Sequence, residues 1–177
     1  MAQQSPAMRL LSKNLGFTLV ELLVVIAIIA VLAALIVFNL SGARERTRDV
    51  QRKNDLAQMK KALRLYYNDY QSYPSGTSLG GTAGQSFDGC GSAGDDECEW
   101  GTSFSAGTGP TIYMNQIPID PLNEGEYVYS YFQNPSNSDA FYLRAVLENP
   151  SDSAAAQSQT RCGISDAQPN EYYVCQD

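Results

Sequence analysis

The chain has 177 residues and no histidine. Without that side chain as a general base or metal ligand, most hydrolase and zinc-site functions are excluded. The length suits one modest domain with an appendage. The net charge of −7 is unevenly spread, because residues 17–64 carry a net charge of +4 and residues 65–177 a net charge of −13. A basic stalk with an acidic head fits electrostatic contact between neighbouring copies, and equally a solvated helix joined to an acidic secreted domain. The acidic head argues against nonspecific nucleic-acid binding.

Residues 1–16 are polar and weakly basic, and an unbroken apolar run of seventeen residues follows from Leu22 to Phe38. At about 1.5 Å per residue, a helix over this run and its apolar flanks nearly matches a hydrocarbon core of roughly 30 Å. The rest of the sequence has no second apolar segment that could cover such a helix in a globular core. The run therefore predicts a membrane span.

A single long helix is predicted from residue 17 to about residue 71, because this stretch has no proline and only one glycine, Gly42. In an assembled filament, too, we expect this helix to be continuous from about Leu19 to Tyr70, with Gly42 as its likeliest bend, because no glycine or proline lies between Thr18 and Ser41. Past the apolar run, apolar residues recur at alternating spacings of three and four, which predicts one apolar stripe that packs on the head. The stripe consists of Leu56, Met59, Leu63, Tyr66 and Tyr70. Tyr73-Pro74 ends the helix, because proline cannot continue it.

Residues 75–109 contain ten of the fourteen glycines, which predicts a long surface loop. The four cysteines form no Cys-x-x-Cys pair, and in a chain that leaves the cytoplasm they predict structural disulfides. Three connectivities are open. Because short loops need little chain closure, we expect the sequence neighbours to pair, Cys90 with Cys98 and Cys162 with Cys175.

Short segments rich in tyrosine, valine and phenylalanine follow, and asparagine, proline, serine and glycine bound them. These predicted strands are residues 111–114, 126–133, 139–147 and 172–175. Three or four short antiparallel strands against one helix predict an α+β head.

The hexapeptide Gly16-Phe17-Thr18-Leu19-Val20-Glu21 opens the apolar helix. It resembles the prepilin-type cleavage and methylation motif of type IV pilins, type II secretion pseudopilins and their competence relatives. The resemblance implies that prepilin peptidase cuts between Gly16 and Phe17 and methylates the new amine. Glycine before the cut leaves the backbone open to a peptidase. Unlike an ordinary secretory signal, this cut precedes the apolar region, which stays attached. We expect Met8 as an alternative start of the leader.

Glu21 within a membrane segment costs on the order of 3 kcal/mol when it is unpaired. The resemblance implies its partner, the amine of Phe17 on an adjacent subunit, which sets the axial register of a filament. The plainer alternative places Glu21 at the level of the lipid headgroups.

The resemblance extends more weakly to residues 39–43, 66–74 and 117–121, which are similar to major pseudopilins. It departs from the family where Ala30 and Phe38 stand in place of a frequent glycine and proline. The C-terminal stretch lacks the acidic, glycine-spaced loop that binds calcium in major pseudopilins, so we expect no cofactor or metal.

In that C-terminal stretch we expect Asp166 and Asp177 to belong to a solvated tail. The pair Cys162 and Cys175 is similar to the disulfide-bounded C-terminal loop of type IV pilins. Basic residues number two before the apolar run and five just after it, and this count alone would place the head in the cytoplasm. The five are Arg44, Arg46, Arg48, Arg52 and Lys53. We give the motif and the cysteines more weight, because Glu45 and Asp49 can pair locally with the arginines.

The resemblance implies an α+β, type IV pilin-like fold, in which a long N-terminal helix packs on a small antiparallel sheet. The expected organisation has five parts. They are a leader at residues 1–16, a transmembrane and filament-core helix at 17–40, an amphipathic helix at 41–73, a glycine-rich αβ-loop at 74–118, and a β-sheet head with a C-terminal disulfide loop at 119–177.

The implied function is that of a structural, non-enzymatic subunit of a type IV pilus, made as a single-pass precursor in the inner membrane and polymerised through its apolar helix into an extracytoplasmic filament. Its implied partners are copies of itself, other pilins, prepilin peptidase, the inner-membrane assembly platform and the membrane, and no nucleic acid. A pseudopilin of a type II secretion system is the first alternative. A membrane-anchored adhesin that uses Trp100, Phe87 and Phe104, and an enzyme built on Asp95, Asp96 and Glu97, are the others.

Overall fold

The computed structural model describes residues 16–76, 87–109, 111–134 and 136–176, and it describes residues 35–41 by their backbone alone. Of the predicted leader, only Gly16 lies within these residues. The chain divides into two compact units, Met1–Ser41 and Gly42–Asp177. The elements are α1 (Leu19–Tyr70), β1 (Phe87–Cys90), β2 (Asp96–Cys98), β3 (Phe104–Ala106), β4 (Thr111–Met114), β5 (Ser130–Asn134), β6 (Asn137–Val146), α2 (Ser153–Cys162) and β7 (Glu171–Cys175). The α+β fold class is confirmed.

Helix α1 has the bounds that the sequence predicted. Its end is set by Gln71, which adopts a left-handed conformation with φ of 54° and donates its N–H to the carbonyl of Tyr67 at 2.8 Å. Pro74 follows three residues later and prevents a further turn.

The apolar stripe of α1 forms one wall of the core of the second unit. Its buried members are Leu56, Met59, Leu63 and Tyr66, and Tyr70 packs at the margin. They share this core with Tyr131, Phe141 and Leu143 from the sheet. Full burial of such a side chain stabilises the fold by about 1.5–3 kcal/mol. The predicted packing of the stripe on the head is confirmed.

Strands β5, β6 and β7 form an antiparallel sheet in that order. Tyr131, Leu143 and Val174 lie side by side on its buried face. The predicted strands at 139–147 and 172–175 are confirmed to within two residues. The predicted strand at 126–133 begins four residues late, because the N–H of Tyr127 donates to the carbonyl of Glu124 in a turn that precedes β5.

The segment predicted as a loop contains strands, and this part of the prediction is wrong. β1 pairs with β2, and β3 pairs with β4, each in an antiparallel hairpin, so β4 does not join the main sheet. The strands are three or four residues long, too short to show a period of two. In the first hairpin Gly91 has φ of 76°, and a Cβ there would stand 1.8 Å from a carboxylate oxygen of Asp96.

Helix α2 was not predicted, because it buries only Ala155 and Ser158 and so has little apolar periodicity. Its end signals are nevertheless in the sequence. The carboxylate of Asp152 caps its first turn, and Gly163 ends it with φ of 67°. The helix covers the outer edge of β7, where Ser158 Oγ accepts the N–H of Tyr173 at 2.9 Å. A side-chain acceptor thus takes the place of another strand.

Candidate functional site

The predicted processing and assembly residues lie at the start of α1. The hydroxyl oxygen of Thr18 accepts the N–H of Glu21 at 3.2 Å, and Glu21 Oε2 accepts the N–H and the hydroxyl of Thr18 at 3.0 and 2.9 Å. This reciprocal pair is a capping box. It holds Glu21 in the first turn, whereas Gly16 and Phe17 precede the helix. The second oxygen of Glu21, Oε1, accepts no hydrogen bond from the described residues.

The first part of α1 is apolar and exposed on every side. Phe17 is 88% exposed, and the large side chains between Leu19 and Leu32 are between 49% and 79% exposed. A helix that is apolar around its whole circumference needs an apolar cover. The predicted span Leu22–Phe38 runs into residues 35–41, which lie outside the described side chains. Among the helices described with their side chains, none has the length and hydropathy of a membrane span.

A buried ionic cluster joins α1 to the head around Arg52, whose side chain has no exposed surface. Its Nε and Nη2 donate to the two carboxylate oxygens of Asp120 at 2.7 and 2.9 Å. Its Nη1 donates to Asp49 at 2.8 Å and to Glu148 at 2.6 Å. The ring centroid of Tyr127 lies 5.0 Å from the guanidinium carbon, within reach of a cation–π contact. We call Arg48, Asp49, Arg52, Asp120 and Glu148 the Arg52 cluster.

The other members of the Arg52 cluster tie α1 to the segment that follows β6. Asp49 accepts the backbone N–H of Glu148 at 2.9 Å and that of Asn149 at 3.0 Å. Arg48 donates to both carboxylate oxygens of Glu148. One turn further, Lys53 pairs with the Asp152 carboxylate that caps α2. The helix and the head are therefore joined by charge as well as by the core.

In the Arg52 cluster, hydrogen bonds between groups of opposite charge shift the pKa values of Arg52 and Glu148 in the direction that favours their charged forms. Burial acts to lower the pKa of Arg52, but hydrogen bonds to Asp120, Glu148 and Asp49 raise it above its ordinary value. The hydrogen bond from Arg48 lowers the pKa of Glu148 against the effect of burial. Lys53 lowers the pKa of Asp152 in the same way.

Three basic residues of the stalk pair with acidic residues of the head of the same chain. Arg48, Arg52 and Lys53 belong to the five basic residues that follow the apolar run, and all three pair with carboxylates. The expected local pairing of Asp49 with an arginine is present as well. Contact between the charges of neighbouring copies stays a prediction.

The cysteines lie in the pairs that the sequence predicted. The sulfur atoms are 2.09 Å apart in Cys90–Cys98, which links β1 to β2. They are 2.07 Å apart in Cys162–Cys175, which links the last turn of α2 to β7.

The residues of the two alternative sites lie on the glycine-rich segment, and the structure places them in different surroundings. Phe87 and Phe104 are buried in the common core, whereas Trp100 is half-buried and packs against Phe87. The acidic residues from Asp95 to Glu97 are exposed. Within the described residues no three Asp, Glu or Cys side chains converge as metal ligands. Asp166 is exposed, and Asp177 lies outside the described residues.

Sequence reasoning missed the role of the Arg52 cluster. The spacing of Arg48, Asp49 and Arg52 indicates local pairing on a helix. Their partners Asp120 and Glu148 are 68 and 96 residues away from Arg52, a separation that no local pattern bridges. The available signal is Asp120-Pro121, which the sequence shows only as a similarity to pseudopilins.

Comparison with protein families finds the prokaryotic N-terminal methylation motif at residues 11–37. Among curated proteins, the type II secretion system core protein G of Escherichia coli is 43% identical over 68 residues, which are 38% of this chain and 47% of that protein. The type IV wide pilus major component PilA4 of Thermus thermophilus is 48% identical over 60 residues, which are 34% of this chain and 46% of that protein. This chain thus spans less than half the length of these relatives. No solved structure matches.

Proposed function

We propose that this chain, a member of the type IV pilin and type II secretion pseudopilin family by its methylation motif and its relatives, is a structural subunit of a helical filament. The type IV pilus is the leading candidate. In this proposal prepilin peptidase removes residues 1–16 and methylates the amine of Phe17. An inner-membrane assembly platform then adds the subunit to a filament outside the cytoplasm. The chain acts by assembling and catalyses no reaction.

One observation carries the proposal, the apolar circumference of the first part of α1. Its large side chains are exposed in the isolated subunit on all sides. Lipid would cover them in the precursor, and the same segments of neighbouring copies would cover them in a filament. A stalk needed only as an anchor would not require a carboxylate in its first turn, where an unpaired charge costs about 3 kcal/mol within a membrane.

Glu21 supplies the specific contact in this proposal. Its Oε2 is used by the capping box, and its Oε1 accepts no hydrogen bond from the described residues, so it can accept one from a cation. The amine of Phe17 on an adjacent copy is such a cation. In an apolar surrounding a pair of this kind is strong and directional, which fits a role in setting register.

The Arg52 cluster holds the second unit together, because it fixes the head to the part of α1 that follows Ser41. Four hydrogen bonds from one buried guanidinium group hold residues on α1, before β5 and after β6 in one position.

A secretion pseudopilus is the second candidate, and the relatives named core protein G of type II secretion systems support it. The two candidates differ in the location of the filament, which is the cell surface for a pilus and the periplasm for a pseudopilus. Shearing intact cells would release a surface pilus into the medium, whereas a pseudopilus subunit would stay with the cell, and its deletion would reduce the export of secreted enzymes.

The experiment is to replace Glu21 by alanine in cells that supply prepilin peptidase and the assembly platform. We expect Glu21→Ala to be inserted and cleaved, because removal of a charge lowers the cost of insertion, and to give filament yields reduced roughly tenfold or more. Glu45→Ala, a glutamate of the same helix outside its apolar part, is the matched control and should assemble normally. A normal filament yield from Glu21→Ala alone would refute the pairing.

A further inference from the structure

A groove of ≈ 350 Å³ lies on the face of the main sheet that points away from the core. The residues that matter for its chemistry are Phe132, Asn134, Tyr142, Arg161, Ile164 and Gln176. The disulfide Cys162–Cys175 also lines it. Its volume is at the lower end of the range of ligand pockets, which suits a single ring with its substituents.

An aromatic platform forms one side of this groove. Phe132 on β5 and Tyr142 on β6 stand directly opposite each other in the sheet, and their rings stack with centroids 4.8 Å apart. Both are half-buried, so their outer surface remains open. The hydroxyl of Tyr142 has no hydrogen-bond partner among the described residues. A platform with an apolar face and a free hydroxyl at its edge suits a ligand with both C–H and polar groups.

Two side-chain amides stand beside the platform in fixed positions. Gln176 Oε1 accepts the N–H of Phe141 at 2.8 Å, and Asn134 Oδ1 accepts the N–H of Ser136 at 2.9 Å. Each amide uses its oxygen in this way and keeps its NH₂ group for a ligand.

The groove also holds Arg161, which has no carboxylate partner among the described residues of an acidic head. Residues 65–177 contain two basic residues, Arg144 and Arg161, against fifteen acidic ones. Arg144 donates to Glu171 at 2.7 Å. Arg161, in the last turn of α2, makes no ion pair or side-chain hydrogen bond with the described residues. Arg161 is exposed and lines the groove, and the disulfide at the next residue, Cys162, ties the backbone of that turn to β7.

We propose that this groove binds a sugar ring that carries one carboxylate, of the uronic or sialic acid kind. The guanidinium of Arg161 would take the carboxylate in a bidentate pair. The C–H face of the ring would lie on Phe132 and Tyr142, and the NH₂ groups of Asn134 and Gln176 would donate to ring hydroxyls. The net charge of −13 on the head disfavours polyanions such as nucleic acids. This activity is separate from filament assembly and does not depend on it.

The test uses the full chain, labelled with ¹⁵N, in detergent micelles, titrated with glucuronic acid and with N-acetylneuraminic acid. We expect one of them to shift the amide signals of β5, β6 and the end of α2, with a Kd on the order of 1 mM. Glucose has the sugar ring but no carboxylate, and acetate has the carboxylate but no ring. Each should therefore bind at least about tenfold more weakly than the sugar acid.

Variants locate the binding. Arg161→Gln should weaken it by about tenfold or more, as should Phe132→Ala. Arg44→Gln, an exposed arginine of α1, is the matched control and should bind like the unchanged chain. An unaltered spectrum outside the groove would show that each variant is folded.

Several results would overturn the proposal. They are no saturable shift with either sugar acid up to about 50 mM, equal binding of glucose or acetate, and unchanged binding by Arg161→Gln. Tighter binding of a peptide that carries one aspartate would overturn it too, in favour of a protein ligand. Because no filament is needed, failure of assembly would leave these results interpretable.

Discussion

Replacement of Arg52 by methionine tests the energetic role of the Arg52 cluster. Methionine keeps most of the side-chain volume, so the change removes the charge and four hydrogen bonds without a large cavity. Asp120 keeps one backbone donor, from Leu122 at 2.9 Å, and Asp49 keeps the N–H groups of Glu148 and Asn149. Both carboxylates then remain buried without a cation.

The magnitude follows from these contacts. Four hydrogen bonds between charged groups at about 1.5–3 kcal/mol each would together equal the net stability of a whole domain, and such contributions are not additive, so they cannot simply be summed. Breaking a buried ion pair from one side typically costs about 3–5 kcal/mol, because the remaining charge is uncompensated. We expect Arg52→Met to lower the free energy of unfolding at pH 7 by that amount, which corresponds to a fall of roughly 10–15 °C in Tm.

The assay is urea unfolding of the full chain in detergent micelles, followed by the fluorescence of Trp100, the single tryptophan, which is half-buried against the core residue Phe87. Arg46→Met on the exposed face of α1 is the matched control and should change stability by no more than about 0.5 kcal/mol. The double variant Arg52→Met/Asp120→Asn should recover about 1–2 kcal/mol, because it removes one of the stranded charges. A loss below about 1 kcal/mol for Arg52→Met would refute the reasoning.

Two further predictions concern pH and the disulfide of the C-terminal loop. The pKa values of Glu148 and Asp152 are lowered in the folded chain, so their contribution to stability is complete above their ordinary values of 4.5 and 3.8 and is lost as pH falls through the folded values. The urea concentration at the unfolding midpoint should therefore decrease as the pH is lowered through this range. Glu148→Gln should make that decrease smaller. A midpoint that rises on acidification would contradict this prediction. Replacement of both Cys162 and Cys175 by serine should cost about 3 kcal/mol by the chain-entropy estimate, and an unchanged midpoint would show that the bridge adds nothing.

The sequence allowed prediction of those elements whose local pattern is strong. The stripe at Leu56, Met59 and Leu63 gave the orientation of α1, because a helical period repeated over several turns has few alternative interpretations. The pairing of Cys90 with Cys98 followed from their short separation. The motif at residues 16–21 gave the resemblance to prepilin-type sequences, and the match of the N-terminal methylation motif at residues 11–37 confirms that resemblance.

The features that could not be predicted from the sequence have weak periodicity or depend on contacts between residues far apart in the chain. Helix α2 buries two small residues and is recognisable mainly by its caps, Asp152 and Gly163. The partners of Arg52 come from two loops whose approach depends on the whole fold. The same holds for the groove at Arg161, since β5, β6 and α2 each contribute to it.

The central claim is that this chain is processed at Gly16 and assembled into a filament. The most direct measurement is the intact mass of the chain recovered from purified filaments of cells with an active prepilin peptidase. We expect the mass of a chain that begins at Phe17, carries one added methyl group and lacks residues 1–16. Residues before Phe17 retained in the filament subunit, or absence of the chain from every filament fraction, would contradict it.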